Sequence, residues 1–357
     1  MPDPRLAETV VARLAAWRVP RVFGVAGEAV AALVEALHAA GGDPEFVPVR
    51  HGESAASMAI GHARLTGGLG VCLSPAGPAA FGLLGGLDAA RRAALPVLAI
   101  IGDEPTDDPT RVDRMFAGLG RRLWHVGDLY RGVSLVDEAV RSALAGHGPA
   151  CLVLPGNPSD PQRVEARAST VRSGAETFPD PLVLDDPGRP SAGAGAAGLV
   201  FDELSVRVPP RAAVTVDSEP VLSRYAGRLS PGTAVLACDA HEGPGAALPS
   251  AVAAKLADPE RPVLALVTDD GMRSHGLAEL VTIARRWPQW PDPRLVVLVL
   301  NTRAGYPGRQ VADDVPYAGW ARLLGLHGVR VDRPEWAHAA WDKALTADRP
   351  CLLDLIP

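Results

Sequence analysis

The sequence predicts an α/β protein of two doubly wound parallel-sheet domains, residues 1–158 and 199–357, joined by a long linker over 159–198. Three observations predict it. Short, near-continuous apolar runs recur along both halves, as strands buried on both faces require. Ala-rich segments of helical length separate them. From Ser159 to Gly198 this alternation stops, and Pro, Gly, Ala, Ser and charged residues take over, as in Asp185-Asp186-Pro187-Gly188-Arg189-Pro190-Ser191. In order, the first half predicts a helix over Leu6–Trp17, a strand at Val22–Val25, a helix over Ala29–Ala39 and a strand at Phe46–Val49. A small-residue run from Ala55 to Ala63 follows, then strands at Val71–Ser74, Val97–Ile101 and Ala150–Leu154. The second half restarts the pattern with strands at Ala213–Val216, Ala234–Cys238, Val263–Val267, Leu295–Leu300 and Cys351–Leu355.

A chain of 357 residues with 47% hydrophobic and 21% charged residues has enough material for two large cores. The net charge of −6 and the lack of any Lys/Arg-rich run argue against nucleic acid as a partner. No apolar run approaches the roughly 18 residues needed to cross a bilayer, and Met1-Pro2-Asp3-Pro4-Arg5 lacks a signal core, so a cytoplasmic protein without membrane attachment is expected. Cys72, Cys151, Cys238 and Cys351 are far apart and lack C-x-x-C spacing, a pattern of buried thiols and not of a disulfide framework or zinc site. No G-x-S-x-G, G-x-x-x-x-G-K or H-E-x-x-H pattern occurs, which leaves serine-hydrolase, P-loop and zincin chemistry unsupported.

The most informative stretch is Arg50-His51-Gly52-Glu53-Ser54-Ala55-Ala56. With Val22-Phe23-Gly24-Val25-Ala26-Gly27 before it and Gly61-His62-Ala63-Arg64-Leu65-Thr66-Gly67 after it, this segment resembles the start of thiamine-diphosphate enzymes of the acetolactate synthase and pyruvate oxidase type. Gly70-Val71-Cys72-Leu73-Ser74-Pro75-Ala76-Gly77-Pro78-Ala79 and the run Gly148 to Pro155 look like that family's pyrimidine-binding domain. Ala247 to Ala257, Asp269-Asp270-Gly271 with Glu279-Leu280 downstream, and Val297-Leu298-Val299-Leu300-Asn301 look like its diphosphate-binding domain. The resemblance thus covers both halves in the family's order. It implies thiamine diphosphate and Mg²⁺ as cofactors. Larger members carry a middle domain that binds flavin in the oxidase branch; only the linker holds that place here, so no FAD is expected. It also implies a homodimer or dimer of dimers, because each family site takes the first domain of one subunit and the second of its mate.

The same resemblance assigns residues. Gly27, Gly52 and Gly77 in the first half, and Pro244, Gly245, Asp269 and Gly271 in the second, fall on cofactor-binding segments. Asp270, Asn301 and Thr302 fall on the magnesium ligands, oxygen donors suited to a hard cation. His51 and Glu53 are the catalytic candidates. Four positions depart from the family pattern: Gly52 stands where the cofactor-activating glutamate lies, Pro244 replaces a bulky apolar wedge, Asp269 replaces the first glycine of a Gly-Asp-Gly turn, and Thr302 replaces an asparagine. The glyoxylate carboligase branch works with an aliphatic residue at the glutamate position. Arg303 follows, able to pair with phosphate or to occupy the cation's place.

Residues alone leave alternatives open. Asp269-Asp270-Gly271 reads equally as a polar turn after a buried strand, and His51 as a structural hydrogen-bonding residue. The acidic loop Asp103-Glu104 with Asp107-Asp108, and Ser74, Asp217, Ser218, Glu219, His241 and His275, sit at strand ends without a recognised arrangement. Three functions follow: a thiamine-dependent lyase or carboligase on a small 2-oxo acid, a non-catalytic homologue whose dimeric scaffold binds a partner or other ligand, or a catalyst using the same interdomain cleft without thiamine.

Overall fold

The computed structural model describes residues 4–103, 111–119, 123–126, 129–155, 202–204, 206–218, 229, 233–238, 240–302 and 315–356. The chain divides into two compact units, Met1–Leu182 and Val183–Pro357. The expected linker at 159–198 lies outside the described residues.

The first unit is a six-stranded sheet: β1 (Arg21–Gly24), β2 (Glu45–Pro48), β3 (Gly70–Pro75), β4 (Val97–Gly102), β5 (Leu123–His125) and β6 (Ala150–Leu154), in the order β2-β1-β3-β4-β6-β5. The second contains β7 (Ala213–Val216), β8 (Ala234–Ala237), β9 (Val263–Thr268), β10 (Leu295–Leu300), β11 (His327–Val331) and β12 (Cys351–Leu355), in the order β11-β12-β10-β9-β7-β8. Every recorded pairing is parallel. When each unit's strands are numbered from its own start, both sheets read 2-1-3-4-6-5. The connections leave in opposite directions from the first strand, which opens a crevice beyond the carboxyl ends of the first and third strands. That crevice lies at β1/β3 in one unit and at β7/β9 in the other.

The strands form where the apolar runs predict them: β3, β4, β6, β7 and β10 are buried at every residue. Two strands, β5 and β11, escaped the pattern. Each is the fifth of its unit and lies at a sheet edge, where one side needs no partner and the apolar run shortens or alternates. The helix over Ala29–Ala39 begins as a 3-10 turn at Glu28–Val30 and becomes α-helical at Ala31–Ala39. All four cysteines are free and buried. Among the described residues no helix is long and apolar enough to cross a membrane.

Helices cover both faces. Pro4–Ala16 is tied to Leu129–Ser142 by Arg13, whose Nη2 lies 2.8 Å from both carboxylate oxygens of Asp137, with Trp17 Nε1 donating to the same carboxylate at 2.8 Å. Gly52–Thr66 and Ala247–Ala257 each follow the second strand of their unit, and both are buried almost throughout. Their alanines and glycines allow that: helices apolar on every side pack closely only when side chains are small.

His62 is a titratable group inside the first of these helices. It is buried with its ring centroid 6.4 Å from that of Phe23, and burial, assisted by the charge of Arg21, lowers its pKa from 6.5 to about 4. A histidine held neutral by the fold contributes stability that is complete above its ordinary value and lost as pH falls through the folded one. His62→Leu is therefore expected to flatten the stability profile between about pH 6.5 and 4, where His62 accounts for roughly 3 kcal/mol. Denaturant unfolding across that range checks it, and an unchanged slope would assign the acid limb to other groups.

Candidate functional site

Most of the predicted site residues gather at the two crevices. In the first unit the segment after β1 returns to β3, with the amide of Val25 bonded to the carbonyl of Leu73 at 3.0 Å. Gly27 lies against Pro75, and Gly77, at φ +85°, turns the chain into the short helix Pro78–Phe81. Helix Gly52–Thr66 starts beside it, with His51 exposed at its N-cap.

Position 52 has no room for a side chain. A Cβ built there would stand 2.0 Å from the carbonyl oxygen of Ala79 and 3.3 Å from the backbone of Gly82. The helix packs backbone to backbone on Pro78–Phe81, and further along the Ala56 side chain lies against Gly86 of the next helix, Leu83–Arg92. Replacing the expected glutamate by glycine therefore leaves no hole; the neighbouring helix closes the position. Glu53 is half-buried, one residue round the helix, with its carboxyl against Gly82: a Cβ on Gly82 would lie 2.5 Å from Glu53 Oε2.

In the second unit the crevice is built on Asp217, at the end of β7. Its Oδ1 accepts the amide of Ala247 at 2.9 Å and its Oδ2 the amide of Thr268 at 3.2 Å. The carboxylate thus binds the end of β9 to the start of helix Ala247–Ala257. Burial raises its pKa to about 6, the amides of Ala247, Thr268 and Gly245 oppose the shift, and the charge of Glu242 adds to it. Above this carboxylate the turn through Gly243 and Gly245, at φ +80° and +90°, lies on Gly271; a Cβ on Gly245 would be 2.5 Å from the Gly271 carbonyl, and one on Gly271 would be 2.4 Å from Asp217 Oδ2. Only glycine satisfies both the dihedral and the contact. Pro244 is exposed on this turn and Glu242 is buried beneath it.

The two aspartates after β9 separate. Thr268 caps the following helix, its hydroxyl accepting the amide of Gly271 at 3.0 Å, so helical geometry begins at Asp269. That turn directs Asp269 inward, where it is buried, and leaves Asp270 exposed. Thr302 Oγ1 donates to the Asp269 carboxylate at 3.3 and 3.4 Å, and Arg273 Nη2 lies 3.9 Å from its Oδ2. Buried Tyr317 donates to the Asp269 carbonyl at 3.2 Å and accepts a hydrogen bond from Arg273. Burial raises the pKa of Asp269, Asp270 adds to the shift, and Arg273 opposes it. Arg273 stands on a π-turn, Met272–Gly276, a helical irregularity that often marks functional positions. Behind this group Asn301 Nδ2 donates to Asp354 Oδ1 at 2.9 Å, with both residues fully buried.

The expected magnesium ligands are Asp270, Asn301 and Thr302. Asp270 is exposed, Asn301 donates through Nδ2 to Asp354 while its Oδ1 is buried without a partner among the described residues, and the Thr302 hydroxyl is directed at Asp269. The carboxylate beside Thr302 is Asp269. Among the described residues no three His, Cys, Asp or Glu side chains are grouped to hold a metal ion. A hard oxygen donor of the kind a divalent cation takes stands open at Asn301.

Sequence reasoning passed over Arg273, Tyr317 and Asp354. Only Asp354 announced itself, as a charge inside the apolar run Cys351 to Ile356. Of the strand-end residues, Ser74 is buried and bonds to the Pro75 carbonyl at 2.9 Å, while His241 is exposed. Glu104, Asp107, Asp108, Glu219 and Arg303 lie outside the described residues.

Residues 4–116 match the family described as thiamine pyrophosphate enzyme, N-terminal TPP binding domain, and residues 217–355 match its C-terminal TPP binding domain. The chain is 43% identical over 157 residues to the acetolactate synthase isozyme 2 large subunit of Escherichia coli, covering 42% of this chain and 28% of that one. It is 33% identical over 162 residues to pyruvate oxidase of Lactiplantibacillus plantarum, covering 41% and 25%. The matches thus span little more than a quarter of these relatives' length. A solved structure, the Rhodococcus jostii RHA1 thiamine diphosphate-dependent 4-hydroxybenzoylformate decarboxylase, superposes with a TM-score of 0.73 at 15% identity over 98% of both chains, a likeness of fold.

Two substitutions test this geometry. Gly52→Glu is expected to destabilise the first unit by on the order of 3 kcal/mol, since the new side chain meets the Ala79 carbonyl; an unshifted denaturation midpoint would mean the helices part freely. Asp217→Ala strips the acceptor from buried amides and is expected to cost the second unit about 3 kcal/mol by the same measurement. A loss below about 0.5 kcal/mol would reduce Asp217 to an ordinary surface-like residue.

Proposed function

This chain belongs to the thiamine pyrophosphate enzyme family, of the acetolactate synthase and pyruvate oxidase type, and from that premise we propose that it binds thiamine diphosphate and acts as a lyase or carboligase on a small 2-oxo acid. The observation that carries this reading is the Gly243–Gly245 turn resting on Gly271 above Asp217. It is a rigid backbone platform, free of side chains at its contact, at the point where α/β sheets bind ligands. The working assembly in this reading is a homodimer or a dimer of dimers.

The chemistry the cofactor supplies when bound is a nucleophilic carbon and an electron sink for the 2-oxo acid. The chain's own task is to hold it and to manage a proton. Gly245 and Gly271 supply the backbone surface, with Asp217 fixing their separation. Position 52 offers no acid, so the proton-handling role falls to Glu53 on the same helical turn, with exposed His51 beside it. A carboxyl packed against Gly82 is suited to that work.

A second reading, a non-catalytic scaffold, is favoured by the closed position 52, since the acid that normally activates the cofactor has neither side chain nor space. Calorimetric titration with thiamine diphosphate and turnover of a panel of 2-oxo acids separate the two. Binding with turnover is expected, and Glu53→Gln should retain affinity while losing at least about tenfold in kcat. Binding without turnover selects the scaffold, and no binding at millimolar cofactor sinks the thiamine reading.

A further inference from the structure

The thiamine-diphosphate reading above brings a diphosphate and a divalent cation to the second unit's crevice. Resting on that reading, we propose that Asp354 is a positioning residue, which holds the amide of Asn301 so that its oxygen, and not its nitrogen, is offered to the cation.

Asp354 is the acidic residue of an otherwise apolar strand, β12, which lies between β10 and β11 and is buried at every residue. In the β10–β12 register Asp354 is opposite Val299. Asn301 follows Val299 by two residues, so the period of a strand puts Asn301 and Asp354 on one face. The backbone amide of Asn301 bonds to the Leu355 carbonyl at 2.8 Å, which carries the pairing one residue beyond β10. With the backbone held there, the side chain donates through Nδ2 to Asp354 Oδ1 at 2.9 Å, both residues being fully buried.

A carboxylate accepts hydrogen bonds and has none to give, so of the two arms of a primary amide only the nitrogen can turn toward it. The oxygen must take the other side. Among the described residues Asn301 Oδ1 is buried without a hydrogen-bond partner. Buried polar atoms seldom stay unmatched, because leaving one open costs the hydration it gave up. A pair with only a structural task would close both arms. An amide oxygen is a hard donor of the kind Mg²⁺ takes, with phosphate oxygens and water completing the shell. The place suits that use: Asn301 is the last buried residue before the chain emerges at exposed Thr302, whose hydroxyl is directed at the Asp269 carboxylate. Without Asp354 the amide is free to turn over, and its two arms exchange places.

Mn²⁺ serves as the probe, since it shares the oxygen preference of Mg²⁺ and its free form is counted by electron paramagnetic resonance. The full-length protein is titrated with Mn²⁺ alone and, separately, with Mn²⁺ in saturating thiamine diphosphate. Asp354→Leu and Asn301→Ala are each expected to weaken Mn²⁺ about tenfold or more, as loss of a residue that orients a metal ligand does. Asp354→Asn, whose amide oxygen can still accept from Asn301, should stay within about threefold of the unaltered protein. Asp354→Ala takes the place of the leucine variant where that one melts early. A solely structural Asp354 would lower the melting temperature and leave the Mn²⁺ affinity of the folded protein unchanged, which overturns the proposal. So do an unaltered affinity in Asn301→Ala, no Mn²⁺ bound in either titration, and equal losses in Asp354→Asn and Asp354→Leu, which would trace the effect to charge. Thiamine diphosphate bound equally well in EDTA and in Mg²⁺ removes the proposal and leaves the thiamine reading standing. Mn²⁺ bound alone in the expected order of variants, with thiamine diphosphate refused, sustains Asp354 and removes the thiamine reading.

Discussion

A single buried carboxylate organises the second unit's crevice. Asp217 ends β7, accepts the amides of Thr268 and Ala247, and lies directly under Gly271. Three separate chain segments therefore meet on one side chain, and the glycine contact above it exists because those segments are held together. Burial pushes the carboxyl's pKa up to about 6, and the amide hydrogen bonds that favour its charged form are the same bonds that define the crevice. The turn, the helix start and the end of β9 stand or fall as a group.

Both units repeat one strand order, yet they use the equivalent crevice differently. In the first it is closed by close packing: Gly27 on Pro75, Gly52 on Ala79, Ala56 on Gly86. In the second it is lined by Asp217, whose carboxylate accepts backbone amides, and by Asp269 with Arg273 and Tyr317 beside it, since a buried carboxylate is admitted only when partnered. The shared topology makes a crevice in each, and the side chains decide which one carries charge.

Much of the fold was legible because buried parallel strands leave near-continuous apolar runs, and ten of the strands in the two sheets left such a trace. The two that did not, β5 and β11, are edge strands. At the site, Asp217 was legible as a strand-end residue but not as a staple, since its partners are backbone amides thirty and fifty-one residues away. Arg273 and Tyr317 were illegible because a helix phase decides which of two adjacent aspartates turns inward, and that phase depends on where Thr268 caps the helix. Motif alignment placed the metal ligand at Asp270; cap geometry gave the inward direction to Asp269.

The departures from the family pattern are compensated, and compensation distinguishes redirection from decay. A glutamate lost without further change leaves a cavity or a polar void, whereas at Gly52 the Pro78–Phe81 helix lies against the backbone. An aspartate buried without partners is an uncompensated charge, whereas Asp269 comes with Arg273, Thr302 and Tyr317 around it. Unselected losses have no reason to arrive with partners at hydrogen-bonding distance. Each site is therefore tested as a unit: altering Gly52 without the helix it touches, or Asp269 without Arg273, measures the broken pairing and not the function of either residue.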